Sequence, residues 1–417
     1  MFEITEIKRG LKNTSYLVAG NIGIQVISFF AAVYIARKLG PENYGIFNTV
    51  MAFVAMFTFI TLPGLNNTLV REGSGHLKKH GEILKKVISF QIWVSFLAII
   101  ITIIASFLAS YSNNIKIYIA IFSGTLLINA LKNSLNSIYQ ITERMQYISI
   151  INLINYGLYA LFAVIFLYLG YGVFSVIVIS VATNLISLIL NYRISKGIIF
   201  YKLSLYPKIE GALLKSGLIF SLITFFGFLY SKVDIVMASI FLTSKDVGLY
   251  SIGFKLVSIG EMVWDMVSLS FFPIVVKKFK KGPIPAMSLF QFSILIFVVA
   301  FPVCLMISIF SKQIILLLFG EQYLGADKIL RILIWVIAIA NPTWPFVWAM
   351  KANYHEKKVL YVVPLRSASN IILNYVLLKK FGIIGIAYST IITYLWYQFL
   401  INFGYQYYVL KRAGNIV

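Results

Sequence analysis

Seven ionisable side chains stand inside apolar runs of this sequence: Lys132, Lys232, Asp234, Lys255, Glu261, Asp265 and Arg366. A charge at the centre of a membrane-spanning helix costs roughly 2.5 to 3.5 kcal/mol on insertion scales, so seven facing lipid would cost on the order of 20 kcal/mol. They call for a polar interior. Asn129, Lys132, Asn133 and Asn136 recur at i, i+3, i+4 and i+7, which places them on one helical face, and Arg366, Asn370 and Asn374 form a second stripe. Such stripes suit a ligand bearing phosphate and hydroxyls, with Lys or Arg for the phosphate and amides for the hydroxyls. The competing role is structural, with amides joining helices and cations snorkelling to the surface.

The acids suggest different chemistry. Asp234 and Lys255 fall at similar depths on successive spans, so an ion pair is expected, serving either helix register or gating. Lys232, two residues from Asp234, must point roughly the other way. Glu261 and Asp265 are a like-charge i, i+4 pair, unfavourable unless one is protonated, a cation lies between them, or each finds its own cation elsewhere. They are the candidate coupling site for H⁺ or Na⁺.

These residues must be held by membrane-spanning helices. The 417 residues are 60% hydrophobic and only 12% charged, with mean hydropathy +0.87, outside the range of a water-soluble fold. The apolar runs are roughly twenty residues long, the length a helix needs to cross about 30 Å of hydrocarbon. Twelve spans are expected: 15–36, 44–66, 87–110, 117–138, 148–169 and 173–192, then a basic connection 193–215, then 216–242, 248–272, 287–310, 329–350, 359–378 and 382–408. The first is expected to be a retained helix. The 36 basic and 14 acidic residues give +22. Most of the Lys and Arg fall in the alternate loops that share a side with the N-terminus, so both termini are expected to be cytoplasmic, and the basic excess does not imply nucleic acid.

The halves resemble one another. Glu42 to Phe47 matches Lys245 to Tyr250, each after the first span of its half, and Gly170 to Val173 corresponds to Gly382 to Ile386 with one insertion. Two six-helix lobes in the same orientation are expected, residues 1–200 and 201–417, the plan of transporters that rock about a central site. The alternative is that both turns merely share a glycine hairpin. Pro342 and Pro345 should kink the tenth span, with Trp344 and Trp348 as interfacial anchors. The apolar stretch Ile314 to Phe319, in the one sizeable outward loop, is expected in the interface. His76, His80 and His355 fall among loop lysines and are expected to be solvated. Cys304 stands alone, which excludes an intrachain disulfide and a thiolate cluster. No GxxxxGK[ST], HExxH or GxSxG occurs, so neither a nucleotide site nor a cofactor is expected.

Ala36-Arg37-Lys38-Leu39-Gly40-Pro41-Glu42-Asn43-Tyr44-Gly45, followed by Gly64-Leu65 and Arg71-Glu72, resembles the N-terminal signature of Wzx-type polysaccharide flippases. These belong to the multidrug/oligosaccharidyl-lipid/polysaccharide exporter superfamily, with the multidrug extrusion (MATE) transporters. Asp234 to Met237 running into Val247 to Tyr250, and Phe319-Gly320 with Tyr323, resemble later segments of the family. The resemblance implies a MATE-like all-α membrane fold and a cationic central cavity. It implies outward flipping of an isoprenoid-diphosphate oligosaccharide for cell-surface glycan synthesis, and by position it implicates Arg37, Arg71, Asp234, Lys255 and Arg366.

The expectation is therefore a non-enzymatic flippase of the plasma membrane working by alternating access. Its expected partners are membrane lipid, a lipid-linked oligosaccharide, H⁺ or Na⁺, and glycan-assembly proteins. The expected substrate residues are Arg37, Arg71, Asn129, Lys132, Asn133, Lys232, Lys255, Arg366 and Asn370. A MATE-type cation-coupled drug antiporter is the first alternative; its cavity should be acidic and aromatic. A membrane-embedded glycan polymerase or ligase is the second, disfavoured by the lack of a large outer loop.

Overall fold

The computed structural model describes residues 4–73, 77–199, 210–279, 282–353, 355 and 363–416. His76 and the middle of the basic connection, 200–209, lie outside the described residues. The described chain is helical, with one isolated bridge, Ile284 to Ile416, and no strand. Eight helical stretches among the described residues are long and apolar enough to cross a membrane. The protein is a multi-pass α-helical membrane protein.

Two compact units are formed, Met1–Phe228 and Leu229–Val417. In unit 1, α1 (Ile4–Met56) is two helical segments joined across a kink at Gly40. Its φ of 73° favours glycine, and Pro41 next to it brings no N–H to the helical ladder. The second segment does not run to residue 66 as a regular helix. It tightens into a 3-10 turn (Phe57–Thr61), breaks at Leu62 with φ 52°, and resumes as α2 (Gly64–Gly73). Backbone that leaves the helix at membrane depth must be satisfied by protein. Gln91 Nε2 approaches the Thr61 and Leu62 carbonyls at 3.4 and 3.5 Å, and Ser221 Oγ accepts from Gly64 N at 3.1 Å. The spans α3 (Leu77–Leu108), α4 (Asn113–Ile141), α5 (Gln146–Tyr168) and α6 (Val173–Lys196) follow, then α7 (Gly211–Phe241), which crosses the unit boundary. Leu65, Leu69, Leu84, Val87, Leu135 and Ile138 form the apolar cluster around the break.

Unit 2 continues with α8 (Ser244–Phe279), α9 (Ala286–Ile309) and the short α10 (Ser311–Phe319). The prolines interrupt the tenth span as expected. It consists of α11 (Ala326–Leu333), α12 (Trp335–Ala340), a 3-10 turn (Asn341–Thr343) and α13 (Trp344–Ala352). Next come α14 (Val363–Phe381), α15 (Ile383–Thr393), a π-helical stretch (Tyr394–Phe403) and α16 (Gly404–Arg412). Counting each interrupted span once, and α1 as two, gives about twelve membrane-length segments.

Lipid as solvent inverts the usual pattern of faces. On α9 the buried positions are mostly small, Ser293, Ala300, Cys304 and Ser308, while Ile294, Val298 and Met306 are exposed. Apolar surface gains nothing by leaving hydrocarbon, so small residues line the helix contact and large ones face the acyl chains. Trp348 is corrected from interfacial anchor to packing residue: it is buried, with its ring stacked against Phe271 at 6.3 Å. His80 is likewise corrected. It is buried, and its Nε2 lies 3.2 Å from Ser137 Oγ. His355 is half-buried against Asn415.

Candidate functional site

In unit 2 the polar residues converge on one carboxylate. Asp234 of α7 is buried among neutral donors: Tyr250 Oη of α8 at 2.6 Å and Thr390 Oγ1 of α15 at 2.9 Å to Oδ2, and Asn374 Nδ2 of α14 at 2.7 Å to Oδ1. Asn374 Nδ2 also reaches Asn370 Oδ1 at 3.2 Å, and Ser389 Oγ donates to the Asn370 carbonyl. The predicted stripe on α14 therefore exists, but two of its members face the acid. Asn370 is buried in this cluster beside Asn374. The Asp234–Lys255 ion pair does not form; Asp234 is met by neutral groups. Four neutral side chains close around the acid instead, because helix pairing brings α14 and α15 against it. A Cβ at Gly385 would run into the Leu377 carbonyl of α14, so glycine permits that approach.

The cluster is rich in oxygen. Both Asp234 oxygens, Thr390 Oγ1, Tyr250 Oη and Asn374 Oδ1 lie in it, and Asn374 Oδ1 is buried with no hydrogen-bond partner. Oxygen donors of this kind suit a hard monovalent cation or a proton. Among the described residues no group of three or more His, Cys, Asp or Glu is placed to hold a metal ion.

Lys232 and Lys255 are half-buried. Arg366, one turn before Asn370, places its guanidinium 4.4 Å from the Tyr394 ring centre and 5.6 Å from that of Tyr397. Tyr394 Oη donates to Glu261 Oε1 at 3.4 Å. Asp265 is exposed.

In unit 1 the α4 stripe divides. An i, i+3, i+4, i+7 stripe is roughly 100° wide, enough for its two rows to face different surroundings. Lys132 and Asn136 turn inward, while Asn129 and Asn133 are exposed. Lys132 Nζ donates to Asn184 Oδ1 at 3.1 Å, Asn155 Nδ2 reaches the same oxygen at 3.4 Å, and Asn191 Nδ2 donates to Asn136 Oδ1 at 2.9 Å. Ser134 Oγ lies between Asn66 and Gln91. Arg37 and Arg71 are exposed at helix ends and take no part in the Lys132 hydrogen bonds. Sequence reasoning missed Tyr250, Thr390, Asn155 and Asn184. The available signal was a lone amide, hydroxyl or phenol in an apolar span.

Residues 10–279 match the family described as polysaccharide biosynthesis protein. The chain belongs to this polysaccharide biosynthesis family. Within 170 residues it is 25% identical to the probable low-salt glycan biosynthesis flippase Agl15 of Haloferax volcanii, covering 40% of this chain and 36% of that relative's length. In fold it is similar to the lipid II flippase MurJ in an inward closed conformation, with TM-score 0.75 and 18% identity over 94% of this chain and 87% of the other. It is also similar to an inward-facing multidrug resistance MATE family transporter of the MOP superfamily, with TM-score 0.72 and 12% identity over 93% and 95%. The MATE-like fold implied by the sequence resemblance is thus the fold of this family member.

Proposed function

We propose that the chain is a flippase that carries an isoprenoid-diphosphate-linked oligosaccharide from the cytoplasmic to the outer leaflet by alternating access, in the plasma membrane, with both termini cytoplasmic. The observation that carries this is the sign of the interior. Among the described residues Lys132 is buried and Lys232, Lys255 and Arg366 are half-buried within the helices, while of the acids in those helices Asp234 is buried among neutral donors, Glu261 is half-buried and Asp265 is exposed. A net cationic interior suits a diphosphate and repels organic cations. Membership of a polysaccharide biosynthesis family and similarity to a glycan flippase over part of the chain support the same cargo.

In this scheme Lys232, Lys255 and Arg366 hold the diphosphate while the lipid tail stays in the bilayer. Coupling, where it operates, falls to Asp234 ahead of Glu261 and Asp265. Asp234 combines a buried carboxylate with several neighbouring oxygens, whereas Asp265 is exposed and Glu261 is only half-buried, with Tyr394 as its one hydrogen-bond donor among the described residues, at 3.4 Å. Proton or sodium uptake there would change the charge of unit 2 and bias its conformation.

The test is translocation in sealed vesicles containing the purified protein and a fluorescent polyprenyl-diphosphate oligosaccharide. Protection from an external reducing quencher should be lost or gained only with active protein. Equal rates with protein-free vesicles overturn the proposal. Uptake of organic cations by the same vesicles, with no glycolipid movement, establishes the drug antiporter instead.

A further inference from the structure

The helices α4, α5 and α6 carry no Asp or Glu, yet Lys132 is buried among them. A buried charge without a counter-ion must be satisfied by hydrogen bonding. Lys132 has three N–H groups, and the one acceptor given to it by a neighbouring side chain is Asn184 Oδ1. That oxygen is already shared with Asn155 Nδ2, and the Asn184 amide donates away, to the Ser180 carbonyl at 2.9 Å. Asn155 Oδ1 is buried with no hydrogen-bond partner. Within one small cluster there are unused donors on Lys132 and an unused acceptor on Asn155.

That combination selects a chemical class. A carboxylate or phosphate brings acceptors only, and its oxygens would meet Asn155 Oδ1 without a hydrogen between them. A hydroxyl brings both functions: its oxygen accepts from Lys132 while its hydrogen goes to Asn155 Oδ1. Asn129 and Asn133, exposed on the adjoining row of α4, offer further amides to the same ligand.

We propose that Lys132, Asn155 and Asn184 form a hydroxyl-recognition site for a neutral sugar residue of the cargo, separate in chemistry from the cations that take the diphosphate. Attachment of that sugar to a lipid diphosphate rests on the function proposed above; recognition of hydroxyls does not.

The experiment compares the full-length protein in nanodiscs binding polyprenyl diphosphate with and without a neutral disaccharide. The readout is the ratio of the two affinities. Wild type should favour the glycosylated form; Lys132→Met should reduce that preference about tenfold, the equivalent of one hydrogen bond to a charged group, and Asn155→Ala about fivefold, the equivalent of one neutral hydrogen bond. A ratio unchanged in both folded variants overturns the site, and so does a wild-type preference for a uronic acid over the neutral sugar at the same position. If wild type binds neither lipid, the flippase proposal fails, and the site is then judged by saturation-transfer NMR with soluble methyl hexosides. Binding that Asn155→Ala abolishes sustains it, and no binding overturns it. If both variants unfold, the wild-type comparison of neutral and acidic methyl glycosides decides.

Discussion

Tyr250→Phe removes one oxygen from the Asp234 cluster and leaves the ring in place, so no cavity is created and the cost falls on hydrogen bonding, chiefly the bond to Asp234 and secondarily the longer 3.4 Å contact with Thr390 Oγ1. That bond runs from a phenol to Asp234 at 2.6 Å, and Tyr250 is 0% exposed, so solvent does not replace it. Hydrogen bonds to charged groups contribute about 1.5 to 3 kcal/mol. The short length and burial put this one in the upper half of that range, about 2 to 3 kcal/mol. Thr390 still donates to the same carboxylate oxygen at 2.9 Å, so the carboxylate is not left bare, which limits the loss. Thr390→Val should cost less, about 1.5 kcal/mol. In a double-mutant cycle with Asp234→Asn, the Tyr250→Phe penalty should shrink by about 1 kcal/mol or more, since its acceptor has changed. Unfolding in mixed micelles, followed by fluorescence of the six tryptophans, measures all of these. A Tyr250→Phe loss under about 0.5 kcal/mol would refute the view that this cluster holds the acid by charge-assisted hydrogen bonds.

Gly385→Ala should separate α14 from α15 at the Leu377 carbonyl, lowering stability by about 1 to 3 kcal/mol, as overpacking does, and slowing translocation with it. Wild-type unfolding of this variant would show that the contact relaxes without cost. Gln91→Met, which withdraws the amide facing the Thr61 and Leu62 carbonyls, should cost about 1 to 3 kcal/mol and speed hydrogen exchange of residues 57–66 selectively. Lys232→Gln and Lys255→Gln should each weaken polyprenyl diphosphate binding and flatten its salt dependence, measured by titration across ionic strengths; an unaltered salt slope in the double variant places the diphosphate elsewhere.

The membrane character and the positions of most spans were legible in the sequence, because hydropathy over twenty residues is a local property and lipid imposes it on every span alike. The amide and cation stripes were legible for the same reason: helical period fixes which residues share a face. What a face meets is not local. Asp234 was expected to pair with Lys255, sixteen to twenty-one residues along the chain being the natural place to seek a partner on the next helix. Tyr250 of that helix does reach it, but the other two donors come from 140 and 156 residues away. Likewise Lys132 was recognised as an inward cation, yet Asn155 and Asn184 were not, since each is a single amide in an apolar run and only packing of α4, α5 and α6 makes them neighbours. The break at Leu62 had a local signal in Pro63 and Gly64, but how its backbone is satisfied did not, because the Gln91 amide that meets its carbonyls belongs to α3. Sequence alone thus determined the solvent, the helices and the sign of the charges inside them; tertiary structure decided which charges are satisfied, because helix-to-helix contacts, unlike helical period, are set by residues distant in the chain.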